Sequence, residues 1–244
     1  MNHEIRRFDR IDSTNALLKR LADEGDNGLT LWADSQTAGR GRLDRKWVSA
    51  PGEGAWFSVL VKDDRLTREN AAGLVFVCAL AAAGALRHLT GRTDIGIKWP
   101  NDIVLNGKKL AGILCECGLE GEKPVWCVCG VGINLTQERF DDTLPWAGSV
   151  KSETGTVCAP REVIEAFLTA FDRETERLFL QGTEPILKDI AGISATLGRQ
   201  VRAGDITGTA AGFLPDGSLR IRTAQGETIV HAGDVSVRGL YGYV

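Results

Sequence analysis

Ile103-Val104-Leu105-Asn106-Gly107-Lys108-Lys109-Leu110 sets an Asn-Gly pair between two apolar runs, and that dipeptide, at ease with positive φ at both positions, marks a two-residue hairpin turn. The chain doubles back there, so the flanking strands are antiparallel. Upstream, Ile95-Gly96-Ile97-Lys98-Trp99 reads as a short strand that stops at Pro100, which has no amide to donate and restricts the residue before it. Downstream, residues 111–117 and 125–131 are further strand-like runs. Gly130-Val131-Gly132-Ile133-Asn134 closes the last of them with small residues, which leave room for a ligand on the sheet. Lys108 and Lys109 are strand neighbours and point to opposite faces, so one can enter a site while the other is solvated; the pattern does not choose between them.

Working outward, residues 29–33 and 54–62 add strands, the second rich in Trp56, Phe57, Val59 and Val61. A helix is predicted over 13–24, with Asp12 or Ser13 as N-cap, Ala16, Leu17, Leu18 and Leu21 on its apolar face and Gly25 at its end. Ser13-Thr14-Asn15 therefore lies at a helix N-terminus, where it either caps the helix or faces a polar ligand. Residues 68–89 form an Ala-rich helix apolar nearly all round, which calls for burial against a sheet. An amphipathic helix follows over 160–181 through Val163, Ile164, Phe167, Leu168, Phe171 and Leu178, with a shorter one from Pro185. Residues 201–238 alternate short β runs with turns at Gly204-Asp205, Pro215-Asp216-Gly217, Gln225-Gly226 and Gly233-Asp234, the pattern of a small barrel. The fold expected is α+β: a mixed, largely antiparallel sheet with helices on one side over residues 1–194, then a small β-barrel over 195–244.

The chain has 244 residues, 43% of them hydrophobic, and a formal net charge of −3. That supports one sizeable core with a small second module, and argues against a general polyanion binder, which is basic over a whole face. Against this acidic background, Gly39-Arg40-Gly41-Arg42-Leu43-Asp44-Arg45-Lys46-Trp47 gathers four cations within seven residues. Glycines let backbone approach a ligand closely and guanidinium groups bind phosphate or carboxylate in pairs, so the segment suits a small anion. The alternative is a solvated loop, or one in which Asp44 pairs with Arg45 and Lys46 and leaves Arg40 and Arg42 for the ligand.

Charged residues through the first dozen positions leave no leader core, and no run approaches the roughly 20 apolar residues of a membrane span. A cytoplasmic protein without membrane contact is expected. Six cysteines, mostly in apolar strand text, predict reduced, packed thiols. Cys115-x-Cys117 and Cys127-x-Cys129 each share a strand face and antiparallel pairing can bring all four together, but the spacing is not the C-x2-4-C of zinc loops. No metal is assigned to them.

Four ordered segments, Gly39-Arg40-Gly41-Arg42 with Arg45-Lys46-Trp47, Lys98-Trp99-Pro100-Asn101-Asp102, Lys109-Leu110-Ala111-Gly112-Ile113-Leu114 and Gly130-Val131-Gly132-Ile133-Asn134, resemble the biotin protein ligase family over essentially the whole chain. The resemblance implies a class II synthetase-like catalytic core with a C-terminal SH3-like barrel. It implies ATP-dependent activation of biotin to biotinyl-5′-AMP and transfer to a lysine of a biotin carboxyl carrier domain, with Mg2+ accompanying ATP. By the same resemblance, Ser13, Thr14, Asn15 and Gln36 fall where the family binds the ureido ring. Arg40, Gly41 and Arg42 fall in the loop over biotin, Lys109 at the reacting carboxylate or phosphate, and Gly112, Leu114, Gly130 and Gly132 along the ring's slot. Arg42 and Lys109 carry the catalytic roles. Arg45, Lys46, Trp47, Lys98, Asn101, Asp102 and Asn134 fall on the ATP or adenylate side, with Asp102 a candidate magnesium ligand.

About a dozen residues precede Ser13, too few for the winged-helix module of family members that double as repressors, so sequence-specific DNA binding is not expected. An exposed sheet edge would make a homodimer available. The nearest rival is a lipoate or octanoate ligase on the same fold; a non-catalytic sensor is the rival from another class.

Overall fold

The computed structural model describes residues 1–231, 233 and 235–241, without the side chain of Asp44. The expected Gly233-Asp234 turn, the end of the 195–244 unit and the Asp44 ion pair thus lie partly or wholly outside the described residues. Ile5–Ile11 (β1), helix Thr14–Leu21 (α1), Thr30–Gln36 (β2), Gly54–Val61 (β3), helix Arg68–Thr90 (α2), Gly96–Lys98 (β4), Asp102–Leu105 (β5), Lys108–Glu120 (β6) and Lys123–Asn134 (β7) follow in chain order. They build a seven-stranded sheet, β1-β2-β3-β7-β6-β5-β4, in which β1 and β2 run parallel and every other pair antiparallel. Asn106 and Gly107 take φ of 51° and 76° in the turn between β5 and β6, as the Asn-Gly pair requires.

Period-two alternation then sorts the two faces. Phe57, Val59, Val61, Cys127, Cys129, Val131 and Ile133 face α2 and, behind it, Pro160–Gln181 (α4), in one continuous apolar core. Leu60 and Val128 face the other way and are covered by Leu18 and Ala22 of α1. Helices therefore lie on both faces, which corrects the one-sided packing read from the sequence; α1 is short, but its apolar stripe needs a sheet face of its own. It ends at Leu21 rather than residue 24. Asp23 and Glu24 would sit where the helix dipole disfavours negative charge, and the Gly25 amide instead closes onto the Leu21 carbonyl at 2.7 Å.

Helix α2 also corrects the reading that no run has the length of a membrane span. Over 23 residues its most apolar window reaches a mean hydropathy of 1.7, and 61% of that window is buried within the fold. Thr67 and Asn70 form a reciprocal capping box at its start, and Gly91, with φ of 69°, ends it.

Val150–Thr154 (α3) and Glu184–Gly192 (α5) bracket α4, and the remaining strands are Gln200–Ala203 (β8), Ile206–Phe213 (β9), Leu219–Thr223 (β10), Gly226–Val230 (β11) and Ser236–Val237 (β12). These form a second, antiparallel sheet in the order β11-β10-β9-β8-β12, the small barrel expected. Its inward residues Val201, Ala210, Leu219 and Ile221 join the main core. Trp99, 2% exposed, stitches the sheets together: its backbone amide donates to Thr196 Oγ1 and its indole Nε1 to the Gly217 carbonyl, both at 2.9 Å.

The cysteines depart from the all-reduced reading. Cys117 and Cys127 are direct cross-strand partners, 4.1 Å apart at Cα, and are joined by a disulfide; Cys78, Cys115, Cys129 and Cys158 are free. Which thiols face each other is a matter of register, which the sequence pattern left open.

Candidate active site

On the α1 side of the sheet, two rungs form a floor: Ser58, Gly130 and Leu114 in one row and Trp56, Gly132 and Gly112 in the next. The glycines are there because side chains lie on them. A Cβ on Gly130 would run into the Asn15 amide, and one on Gly132 or Gly112 would come within 2.6 Å or 2.9 Å of the Trp47 indole. Above this floor opens a cavity of about 600 Å³. All nineteen residues that the resemblance assigned line it, drawn from α1, β2, the basic loop and the strands β4 to β7.

At one end sits a closed polar network. Gln36 Oε1 accepts from the Thr14 amide at 2.8 Å and from Thr14 Oγ1 at 3.2 Å, while Gln36 Nε2 donates to Ser49 Oγ at 2.8 Å. Ser58 Oγ lies 2.7 Å from Thr14 Oγ1 and 2.5 Å from Asn15 Oδ1. Asn15 Nδ2 donates to the Leu114 carbonyl at 3.2 Å and to Glu116 Oε2 at 2.9 Å, so both of its amide protons are used inside the protein. Ser13 is the helix cap, accepting from the Ala16 amide at 3.4 Å. Burial alone would push the Glu116 carboxyl up, but the Lys19 ammonium at 2.5 Å and the Asn15 amide, with Arg40 further off, hold it below the usual range.

The opposite end is cationic. Lys109 Nζ meets Asp102 Oδ1 at 2.6 Å as an ion pair rather than an aligned hydrogen bond, Lys98 Nζ lies 3.8 Å from Asp102 Oδ2, and the Tyr241 hydroxyl donates to that oxygen at 3.0 Å. Asp102 and Lys98 are buried, at 6% and 7% exposure. Burial would raise the Asp102 carboxyl; Lys109 and then Lys98 outweigh it and keep the group ionised. Burial first and then Asp102 push the Tyr241 phenol well up, so it remains a donor. Lys109 is thus the lysine that enters the site, while Lys108 donates to the Pro145 carbonyl. Asp102, expected as a magnesium ligand, is the counter-ion of two lysines, and both of its oxygens are engaged. A hard divalent cation does not fit on it as placed.

The basic loop folds back on itself: the Gly41 amide donates to the Arg45 carbonyl at 2.7 Å and the Trp47 amide to the Gly39 carbonyl at 2.9 Å. Arg42 ties it down, with Nη1 on Asn101 Oδ1 at 3.1 Å and Nη2 on the Gly233 carbonyl at 3.4 Å. Trp47 packs edge-on to Trp56, centroids 6.3 Å apart, and Lys109 Nζ lies 5.4 Å from its ring. Asn134 Nδ2 donates to the Gly148 carbonyl at 2.9 Å and its Oδ1 accepts from Gln137 at 3.3 Å. Gln137 Oε1 and Trp47 Nε1 are then left as buried polar atoms without a partner, both in residues lining the cavity.

Among the cavity and network residues that sequence reasoning missed are Ser58, Glu116, Gln137 and Tyr241. Ser58 and Glu116 carried a signal, a single polar residue inside an apolar strand run, each with a buried polar partner to satisfy. Gln137 and Tyr241 carried none, since both arrive from irregular chain.

A glycine-floored slot joined to a cluster of lysines and arginines, on a mixed sheet with a small barrel docked to it, places the chain in a class of acyl-activating ligases: it belongs to the biotin/lipoate A/B protein ligase family, whose model matches residues 7–134. Among individual relatives, the chain is 35% identical over 241 residues to the biotin--[acetyl-CoA-carboxylase] ligase of Paracoccus denitrificans, covering 94% of this chain and 99% of that protein. It is 31% identical to the bifunctional ligase/repressor BirA of Bacillus subtilis, covering 97% of this chain and 75% of the relative. The fold superposes on the biotin protein ligase of Aquifex aeolicus in complex with biotin and ATP with a TM-score of 0.84 at 30% identity, over 96% and 98% of the two chains.

Proposed function

We propose that this chain is an ATP-dependent biotin protein ligase. Biotin's carboxylate attacks the α-phosphate of ATP and expels pyrophosphate; the carrier lysine's amine then attacks the acyl carbon of biotinyl-5′-AMP and expels AMP. The observation that carries the proposal is the convergence of Arg42, Lys98 and Lys109 with the Thr14–Gln36 polar end around one cavity.

The first step brings two anions together, and at 4 Å two unit charges repel by roughly 4 kcal/mol near a protein surface. Lys109 and Lys98 offset that repulsion. Their pairing with Asp102 fixes where the charge sits before substrate arrives, which is what makes electrostatic stabilisation effective. Arg40 and Arg42 supply paired donors to carboxylate and phosphoryl oxygens, with Arg45 and Lys46 on the triphosphate side. Neither step uses a covalent bond to the enzyme, and the site needs no nucleophile. The carbonyl oxygen and the N–H groups of the ureido ring match the Thr14 and Gln36 end of the cavity, where Asn15 and the buried Ser58 act by holding that end in place. Trp47 and Asn134 flank the base, with the unpaired Gln137 Oε1 as the acceptor for its amine. Magnesium enters as part of the MgATP substrate, held by the triphosphate oxygens rather than by Asp102.

The partners in this reading are biotin, ATP and a carboxylase carrier domain in the cytoplasm, with residues 195–244, packed on the common core, as the module that helps seat the carrier. The outer edge of β1 offers a second copy a place to pair, to be checked by sedimentation. The proposal is tested by incubating the protein with biotin, MgATP and a carboxylase carrier domain and weighing the carrier. One lysine should gain the mass of a biotinyl group, and lipoate should not replace biotin. A carrier modified with lipoate alone would move the reading to the other branch of the family, and no modification with either would favour a sensor.

A further inference from the structure

Behind the floor of the cavity, on the face of the sheet that meets α2, three thiols converge from three elements. Cys115 of β6 and Cys129 of β7 are direct cross-strand partners, Cys78 reaches them from α2, and all three sulfurs lie within 4.8 Å of one another. Cys78 and Cys129 are fully buried and Cys115 partly so. This is not the four-cysteine strand set that the C-x-C spacing suggested, because Cys117 and Cys127 are bonded to each other and a helix supplies the third sulfur.

We propose that Cys78, Cys115 and Cys129 form a three-sulfur site for a soft monovalent cation of the Cu(I) type. With metal–thiolate bonds of about 2.3 Å, a planar three-coordinate centre holds its sulfurs about 4 Å apart, within the spacing already present. The donor set selects the ion. Sulfur ligands in apolar surroundings exclude magnesium and calcium, which demand oxygen. Structural zinc takes four ligands, and among the described residues no His, Asp, Glu or further Cys completes this set. Glu116, next along β6, turns to the other face and binds Lys19 and Asn15. A soft ion that accepts three sulfurs is what remains. Binding forms metal–sulfur bonds, breaks the S–H bonds of thiols that become thiolates and releases those protons to solvent; no oxidation state changes.

The test uses the full chain under anaerobic conditions, with Cu(I) delivered by ascorbate reduction and bathocuproine disulfonate as the competing chelator. One Cu(I) per chain should be withheld from the chelator, and X-ray absorption at the copper edge should count three sulfur neighbours. Cys78→Ala should weaken retention by more than about 100-fold, since even loss of an outer partner of a metal ligand costs about 10–100-fold. Cys158→Ala, outside the cluster, should leave retention unchanged. Complete capture of the copper by the chelator overturns the proposal, as does unchanged retention in folded Cys78→Ala. Should that variant fail to fold, the wild-type sulfur count decides alone: three supports the site, and two or four overturns it.

Discussion

Arg42 does two things at once, supplying charge and tying down the loop, so a single substitution there removes both. Its guanidinium reaches Asn101 on the strand side and the Gly233 carbonyl on the barrel side. Arg42→Ala is expected to lower adenylate formation by about 100- to 1000-fold, the scale of losing one preorganised donor to the transition state. It should also let biotinyl-adenylate escape, measured as free adenylate after rapid filtration. Wild-type rate and retention would remove the loop from the mechanism. Asp102 is the other decisive residue. Its carboxyl is held below the ordinary value near 3.9, so the stability it contributes is fully present above that value and is lost as pH falls through the lower folded value. The stability gap between wild type and Asp102→Asn, from urea unfolding, should be flat above about pH 5 and narrow below about pH 4. A gap that instead grew on acidification would reverse the sign of the Lys109–Asp102–Lys98 argument. The cations of residues 40–46 were legible because their concentration stands out in an acidic chain, whereas Lys98 and Lys109 were placed by the resemblance alone. Tyr241 and Gln137 were not, because nothing local to them distinguishes a loop residue from a site residue.

At the scale of elements, the floor of the slot depends on glycine for a reason that spacing alone did not reveal. Gly130 is small because the Asn15 amide occupies the space above it, and Asn15 is held by Leu114, Glu116 and Ser58. Gly130→Ala therefore displaces α1's first turn rather than merely narrowing the slot. Overpacking of this kind costs about 1–3 kcal/mol, and the Kd for biotin by calorimetry should rise about 10- to 100-fold with the fold retained. Unchanged biotin binding would show that Asn15 does not set the geometry of that end. The hairpin at Asn106-Gly107 and the α2 and α4 helices were readable from turn chemistry and apolar period. The Cys117–Cys127 bond and the two-sided packing of helices were not, since both follow from register and from which face each short element covers.

Across the whole molecule, the barrel and the sheet share one core and are joined through Trp99, whose indole donates to Gly217 and whose backbone amide donates to Thr196. The second sheet begins at Gln200, and the change of text near residue 195 hides how much apolar surface the two sheets hold in common. Trp99→Ala should cost about 3–5 kcal/mol, the range for a buried aromatic truncated to alanine, read as a lower midpoint in urea. It should also loosen the Arg42–Gly233 contact, because that carbonyl belongs to the barrel. A loss under about 1 kcal/mol would mean that the two units stand independently.

The central claim is that these cations let a carboxylate attack a triphosphate inside one cavity, and isotope exchange between pyrophosphate and ATP measures that step alone. Exchange should require biotin, should not be supported by lipoate, and should fall at least about 100-fold in Lys109→Gln. Exchange without biotin, or exchange in Lys109→Gln at the wild-type rate, would contradict the account.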